Sequence, residues 1–281
     1  MKVVLAGAYG NLGSDVFREL IRSGNEVIAL DIAQRDIGIS SGYVFHKIDV
    51  TDPKTLKGVC DGADVLITTV GLTKGSATVS NYDIDYQGNI NLLNEAKKAG
   101  IKNFVYISVV KANEAPDVPM VNAKYLFEEE LKKSGLTYVI HRPTGYFYDI
   151  IKVFKPMIEK GKVTLLGKEP VYANIVSTED FAAFIVSHML DQNKMYSVGG
   201  KEKYSYEEIA KMCFEAAGKP AVIKRVSPGI FDMLAWINKL KKNGKEAIIK
   251  FSKWTLTHDM VGDTVAGDMS FKEYIKKSFS K

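Results

Sequence analysis

Seven residues near the start of the chain have the types and spacing to hold phosphate. Gly7-Ala8-Tyr9-Gly10-Asn11-Leu12-Gly13 follows the apolar run Val3-Val4-Leu5-Ala6 and leads into a pattern that sets Leu12, Val16, Leu20 and Ile21 on one helical face. Glycine permits a tight strand-to-helix turn and lets bare backbone approach a pyrophosphate, whose charge then meets the free amides and positive dipole end of the helix. The pattern predicts dinucleotide binding by Gly7, Tyr9, Gly10, Asn11, Leu12 and Gly13. A tight turn with no ligand is the alternative.

The next apolar run, Glu26 to Leu30, ends at Asp31, 18 residues beyond Gly13. An acid there accepts hydrogen bonds from the adenosine ribose hydroxyls and repels a 2′-phosphate, so NAD(H) is expected in preference to NADP(H). NADP(H) stays open, because Arg35 supplies a guanidinium four residues on. A loop-capping carboxylate is the alternative for Asp31. Asp49 and Val50 are placed beside the adenine, and Val70 and Gly71 beside the ribose and pyrophosphate; each pair also suits an ordinary strand-end turn.

The elements that must position these residues are read from periodicity. Strands are expected at Val3 to Ala6, Glu26 to Asp31, Tyr43 to Ile48, Asp64 to Val70, Asn103 to Ser108 and Thr137 to His141. Between them, Asn11 to Ser23, Pro53 to Cys60, Tyr82 to Ala99 and Val121 to Ser134 repeat apolar residues at helical spacing. Strands alternating with helices point to an α/β protein with a doubly wound, Rossmann-like parallel sheet. Residues 1–145 form this dinucleotide-binding part. Residues 146–281 are expected as a small C-terminal substrate lobe packed on the sheet edge within one structural unit, with helices near Tyr148 to Lys160, Thr178 to Leu190, Tyr204 to Ala217 and Pro228 to Lys242.

Composition bounds the function. The 281 residues are 46% hydrophobic and 25% charged, enough to bury a core without disulfides or structural metal. Cys60 and Cys213 form no metal or redox motif, the four histidines show no ligand spacing, and no metal site is expected. No signal peptide or membrane-spanning run is visible, which predicts a soluble cytoplasmic protein. Residues 201–281 hold 16 Lys and Arg against 10 Asp and Glu. Without interleaved aromatics and arginines this is a solvated lysine face rather than a nucleic-acid surface. The stretch Pro228 to Thr257 mixes apolar residues with six lysines. Helices covering the sheet edge are the favoured reading, and peripheral membrane contact or a partner subunit the alternative. A monomer or homodimer is expected.

With these residues in place the chain resembles the short-chain dehydrogenase/reductase superfamily, in its atypical branch of NmrA-like, isoflavone-reductase-like and extended sugar-nucleotide proteins. Asp85-Tyr86-Gln87-Gly88-Asn89, Phe104-Val105-Tyr106-Ile107-Ser108, Tyr138 to Pro143 and Asn174-Ile175-Val176 carry the likeness beyond the glycine turn. The resemblance implies hydride transfer to or from nicotinamide, with a serine after the fifth strand and a Tyr-x-x-x-Lys pair on the next helix. Ser108 and Lys124 match, but Met120 stands where the tyrosine belongs. Isoflavone-reductase-like relatives also lack that tyrosine and rely on the helix lysine, so Lys124 is the leading catalytic candidate. Its alternatives are holding the nicotinamide ribose or an ordinary i, i+4 pair with Glu128. Tyr148, with Lys152 four residues on, is a second source of a phenol, or a packing residue.

Two functions follow. One is an NAD(P)-dependent oxidoreductase or epimerase-like enzyme acting on a small organic or nucleotide-linked substrate. The other is a non-catalytic NAD(P)(H)-binding redox sensor, regulator or assembly factor.

Overall fold

The computed structural model describes residues 1–280. Strand β1 (Lys2–Ala6) runs into helix α1 (Asn11–Arg22), followed by β2 (Glu26–Asp31), β3 (Tyr43–Lys47) and β4 (Val65–Thr68). After α2 (Asn89–Lys98) come β5 (Asn103–Ile107), α3 (Pro119–Lys133), β6 (Thr137–Pro143) and α4 (Phe147–Glu159). The C-terminal part adds β7 (Val163–Leu166), β8 (Tyr172–Ala173), α5 (Thr178–Ser187), β9 (Lys194–Gly199), β10 (Tyr204–Ser205) and α6 (Tyr206–Ala216). It ends with β11 (Ile223–Val226), α7 (Gly229–Leu240), α8 (Lys245–Thr255), β12 (Thr264–Val265) and α9 (Phe271–Phe279).

Eight strands pair in the order β3-β2-β1-β4-β5-β6-β9-β12, every pair parallel. The strands read as near-continuous apolar runs because both faces are covered. Val3, Leu5, Val27, Ala29, Val65 and Ile67 pack towards α1 and α5, whereas Val4, Ala6, Ile28, Leu30 and Leu66 pack towards α2 and α3. The fold is the expected doubly wound parallel sheet. Chain order reverses between β1 and β4, and Ala6 is level with both Leu30 and Thr68. Their carboxyl ends therefore open one crevice at the switch point.

Four local expectations change. Pro53 to Cys60 forms only a single 3₁₀ turn at Pro53–Leu56, because Gly58 and Gly62 adopt φ of +76° and +70° and end it. Tyr82 to Ala99 is not one α-helix: a wider π-helical turn over Tyr82–Gly88 precedes α2. The sheet also gains β9 and β12 from beyond residue 146, which dock in register on β6 and β9. In the basic stretch, α8 packs on α3 and α7 packs on α8, so neither helix lies on the sheet edge.

Candidate functional site

The glycine turn is locked from two sides. A Cβ on Gly13 would fall 1.9 Å from the Gly7 carbonyl oxygen, so α1 can start this close to β1 only with glycine there. Gly7 itself sits at φ +77°. From β4, Thr69 Oγ1 reaches the Ala6 and Gly7 carbonyl oxygens, each at 3.1 Å, and pins the turn to the neighbouring strand. Helix α1 begins after Gly10 with no side-chain cap and no acid in its first turn. The amides of Asn11, Leu12 and Gly13, the first residues of the helix, therefore lack intrahelical partners at its positive end.

Asp31 stands at the end of β2, where its Oδ2 accepts from the Tyr9 amide at 2.8 Å and its Oδ1 from the Ile32 amide at 2.7 Å. The carboxylate is thus fixed beside the turn with lone pairs to spare for hydroxyl donors. These bonds also commit the Tyr9 amide, so it is not among the free donors of the turn. The Tyr9 ring is buried edge-on against Phe17 and Phe45 as a core side chain. Asp49 spends its Oδ1 on the amide and hydroxyl of Thr51. Val50 is buried, its carbonyl accepting from Asn91 Nδ2 at 2.8 Å.

Val70 and Gly71 lead from the crevice to a second polar centre. A Cβ on Gly71 would fall 2.8 Å from Asp85 Oδ1 and 3.1 Å from Lys124 Nζ, so glycine is what lets the chain cover this pair. Lys124 Nζ lies 3.1 Å from Asp85 Oδ1, off the axis of a hydrogen bond, and donates to the Ile107 carbonyl at 3.3 Å. Asp85 Oδ2 accepts from the Leu72 amide at 3.1 Å and from Asn81 Nδ2 at 3.0 Å. Asn89 completes the network by accepting from Thr68 Oγ1 and donating to the Asp85 carbonyl. The wide π-helical turn places Asp85 here, a role that helical periodicity does not reveal.

Ser108 follows Ile107 directly, is 4% exposed, and its Oγ has no partner among the described residues. Ser108 and Lys124 are thus brought to one strand end. The alternative Lys124–Glu128 pair does not form: Glu128 is fully buried and takes Arg142 in a two-point grip, with Nε at 3.0 Å and Nη2 at 2.5 Å. Tyr148 lies on α4, a different helix from Lys124. It stacks on Tyr146 at the start of α4, where burial and Asp149 push its phenol pKa up and Asn11 opposes the shift. It faces the phosphate turn as a neutral phenol.

Met120, one turn before Lys124, is buried and lines a cleft of about 380 Å³ with Leu72, Asn81, Tyr82, Pro119 and Ile248. Leu72 and Asn81 both contact Asp85, so this cleft and the lysine network share a wall.

Comparison with known proteins fits this geometry. The NmrA-like family matches over residues 1–279. The chain belongs to the NmrA-like family. One similar protein, the photosystem II assembly factor Ycf39 of Synechocystis, is 26% identical over 261 residues, covering 91% of this chain and 76% of that protein. Another, the chloroplastic divinyl chlorophyllide a 8-vinyl-reductase of Zea mays, is 28% identical over 263 residues, covering 84% of this chain and 64% of that enzyme. The NADPH-bound crystal structure of an NADPH-dependent quinone oxidoreductase from Escherichia coli shares the fold, with a TM-score of 0.74, 17% identity and full coverage of both chains. The chain is thus similar both to a protein named as an assembly factor and to one named as a reductase.

Proposed function

We propose that the protein is a nicotinamide-nucleotide-dependent reductase that prefers NAD(H) and acts on a small organic acceptor. The observation that carries this reading is the pairing of an unpartnered buried hydroxyl, Ser108 Oγ, with a lysine held at the adjoining Ile107 carbonyl. A buried hydroxyl with no internal partner carries a desolvation cost that a bound acceptor oxygen removes.

The residues fit the cofactor. The uncapped start of α1 takes the pyrophosphate, Asp31 takes the adenosine ribose hydroxyls and disfavours a 2′-phosphate, and Gly71 leaves room beside Lys124. Bound there, a nicotinamide nucleotide supplies or accepts a hydride. Ser108 orients the acceptor oxygen by hydrogen bond. Lys124 is anchored by the Asp85 charge and the Ile107 carbonyl, and its remaining N–H donors polarise the same oxygen or hold the nicotinamide ribose. The mainly apolar cleft at Met120 admits the acceptor.

The test is consumption of NADH with a panel of carbonyl and enone acceptors. Lys124→Met alone strands the buried Asp85 carboxylate, at a cost of about 3–5 kcal/mol, so the informative variant is Asp85→Asn/Lys124→Met. Turnover with the active acceptor falls by about 10²-fold or more in that variant while NADH still binds.

Met120 favours a second reading, because a thioether has no proton to give where the resembling enzymes carry a phenol. On that reading the protein binds nucleotide and changes its partner affinity without turnover. NADH binding with no consumption across the panel, together with a nucleotide-dependent change in association state, would select it.

A further inference from the structure

Helix α7 is built inside out. Its outward face presents Ile230, Met233, Leu234, Trp236, Ile237 and Leu240, while Ala235 is its one fully buried residue. Trp236 is 61% exposed, Leu240 63% and Met233 54%. At 100° per residue these six side chains fill a continuous arc with no charge in it, whereas a helix of a soluble domain turns such an arc to the core. The inner side packs on α8, so α7 is the outermost layer of the lobe. A contiguous exposed apolar face of this kind marks an interaction surface.

The charges around it identify the occupant. Lys239, Lys241, Lys242 and Lys245 gather at the carboxyl end of α7 and form no ion pair among the described residues. The two acids of this hairpin are neutralised within it, Asp232 by Lys253 at 2.6 Å and Glu246 by Lys250 at 2.9 Å. The surface is therefore an apolar stripe with a tryptophan and an unanswered positive rim. A second copy meeting it through the same hairpin brings the same lysines and no unpaired acid to meet them. Anionic headgroups above an acyl boundary match both halves. No helix among the described residues is long and apolar enough to cross a membrane, which leaves contact in the plane of the interface.

We propose that the outward face of α7 docks flat on an anionic lipid surface, with Trp236 and Leu240 entering the acyl boundary and the four lysines meeting the headgroups. This stands apart from the nucleotide reading, since it uses none of the same residues. The same hairpin lines the Met120 cleft through Gly244, Ala247 and Ile248.

Vesicle flotation and tryptophan fluorescence of the full chain test it. The protein has two tryptophans, and Trp254 is only 6% exposed, so an emission shift on lipid binding reports Trp236. Vesicles of phosphatidylcholine containing phosphatidylglycerol are expected to float the protein and shift its emission to the blue, with binding at least about tenfold weaker to phosphatidylcholine alone. Trp236→Ser/Leu240→Ser should abolish flotation at unchanged Tm, because both side chains are exposed. Lys241→Glu/Lys242→Glu should weaken it by about tenfold or more. Absence of flotation, equal binding to neutral vesicles, or undiminished flotation of the apolar double variant overturns the proposal. So does a lipid-independent dimer that the same apolar substitutions dissociate, which would assign the face to a second copy.

Discussion

Helices α1 and α6 begin in opposite ways. At α6, Ser205 Oγ accepts from the Glu208 amide at 3.2 Å, Glu208 Oε2 accepts from the Ser205 amide at 2.7 Å, and Glu207 and Glu208 place two acids against the positive end of the dipole. At α1, Gly10 provides no cap, the first turn holds no acid, and the glycine turn clears the space in front of it. One helix completes its own hydrogen bonding and packs in the lobe. The other leaves donors open at the switch point of the sheet, where the proposed nucleotide's phosphate would complete them. An internal side chain answers the amides at α6, and at α1 that answer is withheld, as the proposed nucleotide site requires.

The largest way to break this contrast is Gly13→Val. Its side chain collides with the Gly7 carbonyl, so the turn must open, and NADH affinity falls by about 100-fold or more, together with a loss of about 2–4 kcal/mol in urea unfolding. At α6 the corresponding lesion is milder: Ser205→Ala removes the cap, costs about 1 kcal/mol, and leaves NADH affinity untouched. Equal effects of the two substitutions on binding would erase the distinction between the helices.

An unmet polar group is not by itself a site, and His141 sharpens that limit by about the same amount as the Ser205 cap. Like Ser108, it is buried with its polar atoms unpartnered, but it stacks on Tyr196 among Phe181 and Phe184 in the core. Burial pulls its imidazole pKa down to about 3, with His188 pushing the same way and Asp191 opposing. Below the ordinary value of 6.5 the unfolded chain takes a proton that the native state refuses. His141 therefore costs no stability from ionisation above pH 6.5 and about 1.4 kcal/mol more for each unit as pH falls towards 3. Urea unfolding at pH 7 and pH 5.5 should show the native chain losing about 1.4 kcal/mol more than His141→Phe. Identical pH slopes would contradict a neutral core histidine.

The parts of this account visible in the sequence are those encoded over a few residues. The Gly7 to Gly13 spacing, the apolar strands and the three- and four-residue helical repeat are local, and they carry the sheet, the glycine turn and the position of Asp31. What was illegible depends on contacts between distant segments. Nothing near Lys124 announces that its carboxylate partner is Asp85, 39 positions earlier. Glu128, four residues on, looks the better partner until Arg142 on β6 claims it. The π-helical turn that delivers Asp85 lies in a stretch whose spacing reads as ordinary α-helix, which would turn Asp85 elsewhere. Likewise, β9 and β12 join the sheet from the lobe because β6 leaves an open edge, which is a property of the assembled fold. The apolar residues of α7 read as core in the sequence, since periodicity cannot say which helix will find a partner.

Calorimetric titration with NADH of the native chain and of Gly10→Asp tests the central claim most directly. Gly10 lies at extended φ and ψ of −68° and 171°, so an aspartate there supplies the missing cap and a competing charge at little cost to folding. The native chain should bind, and Gly10→Asp should bind at least about tenfold more weakly at an unchanged or slightly higher Tm. No heat from the native chain, or superimposable isotherms for the two proteins, would contradict a phosphate site at the start of α1.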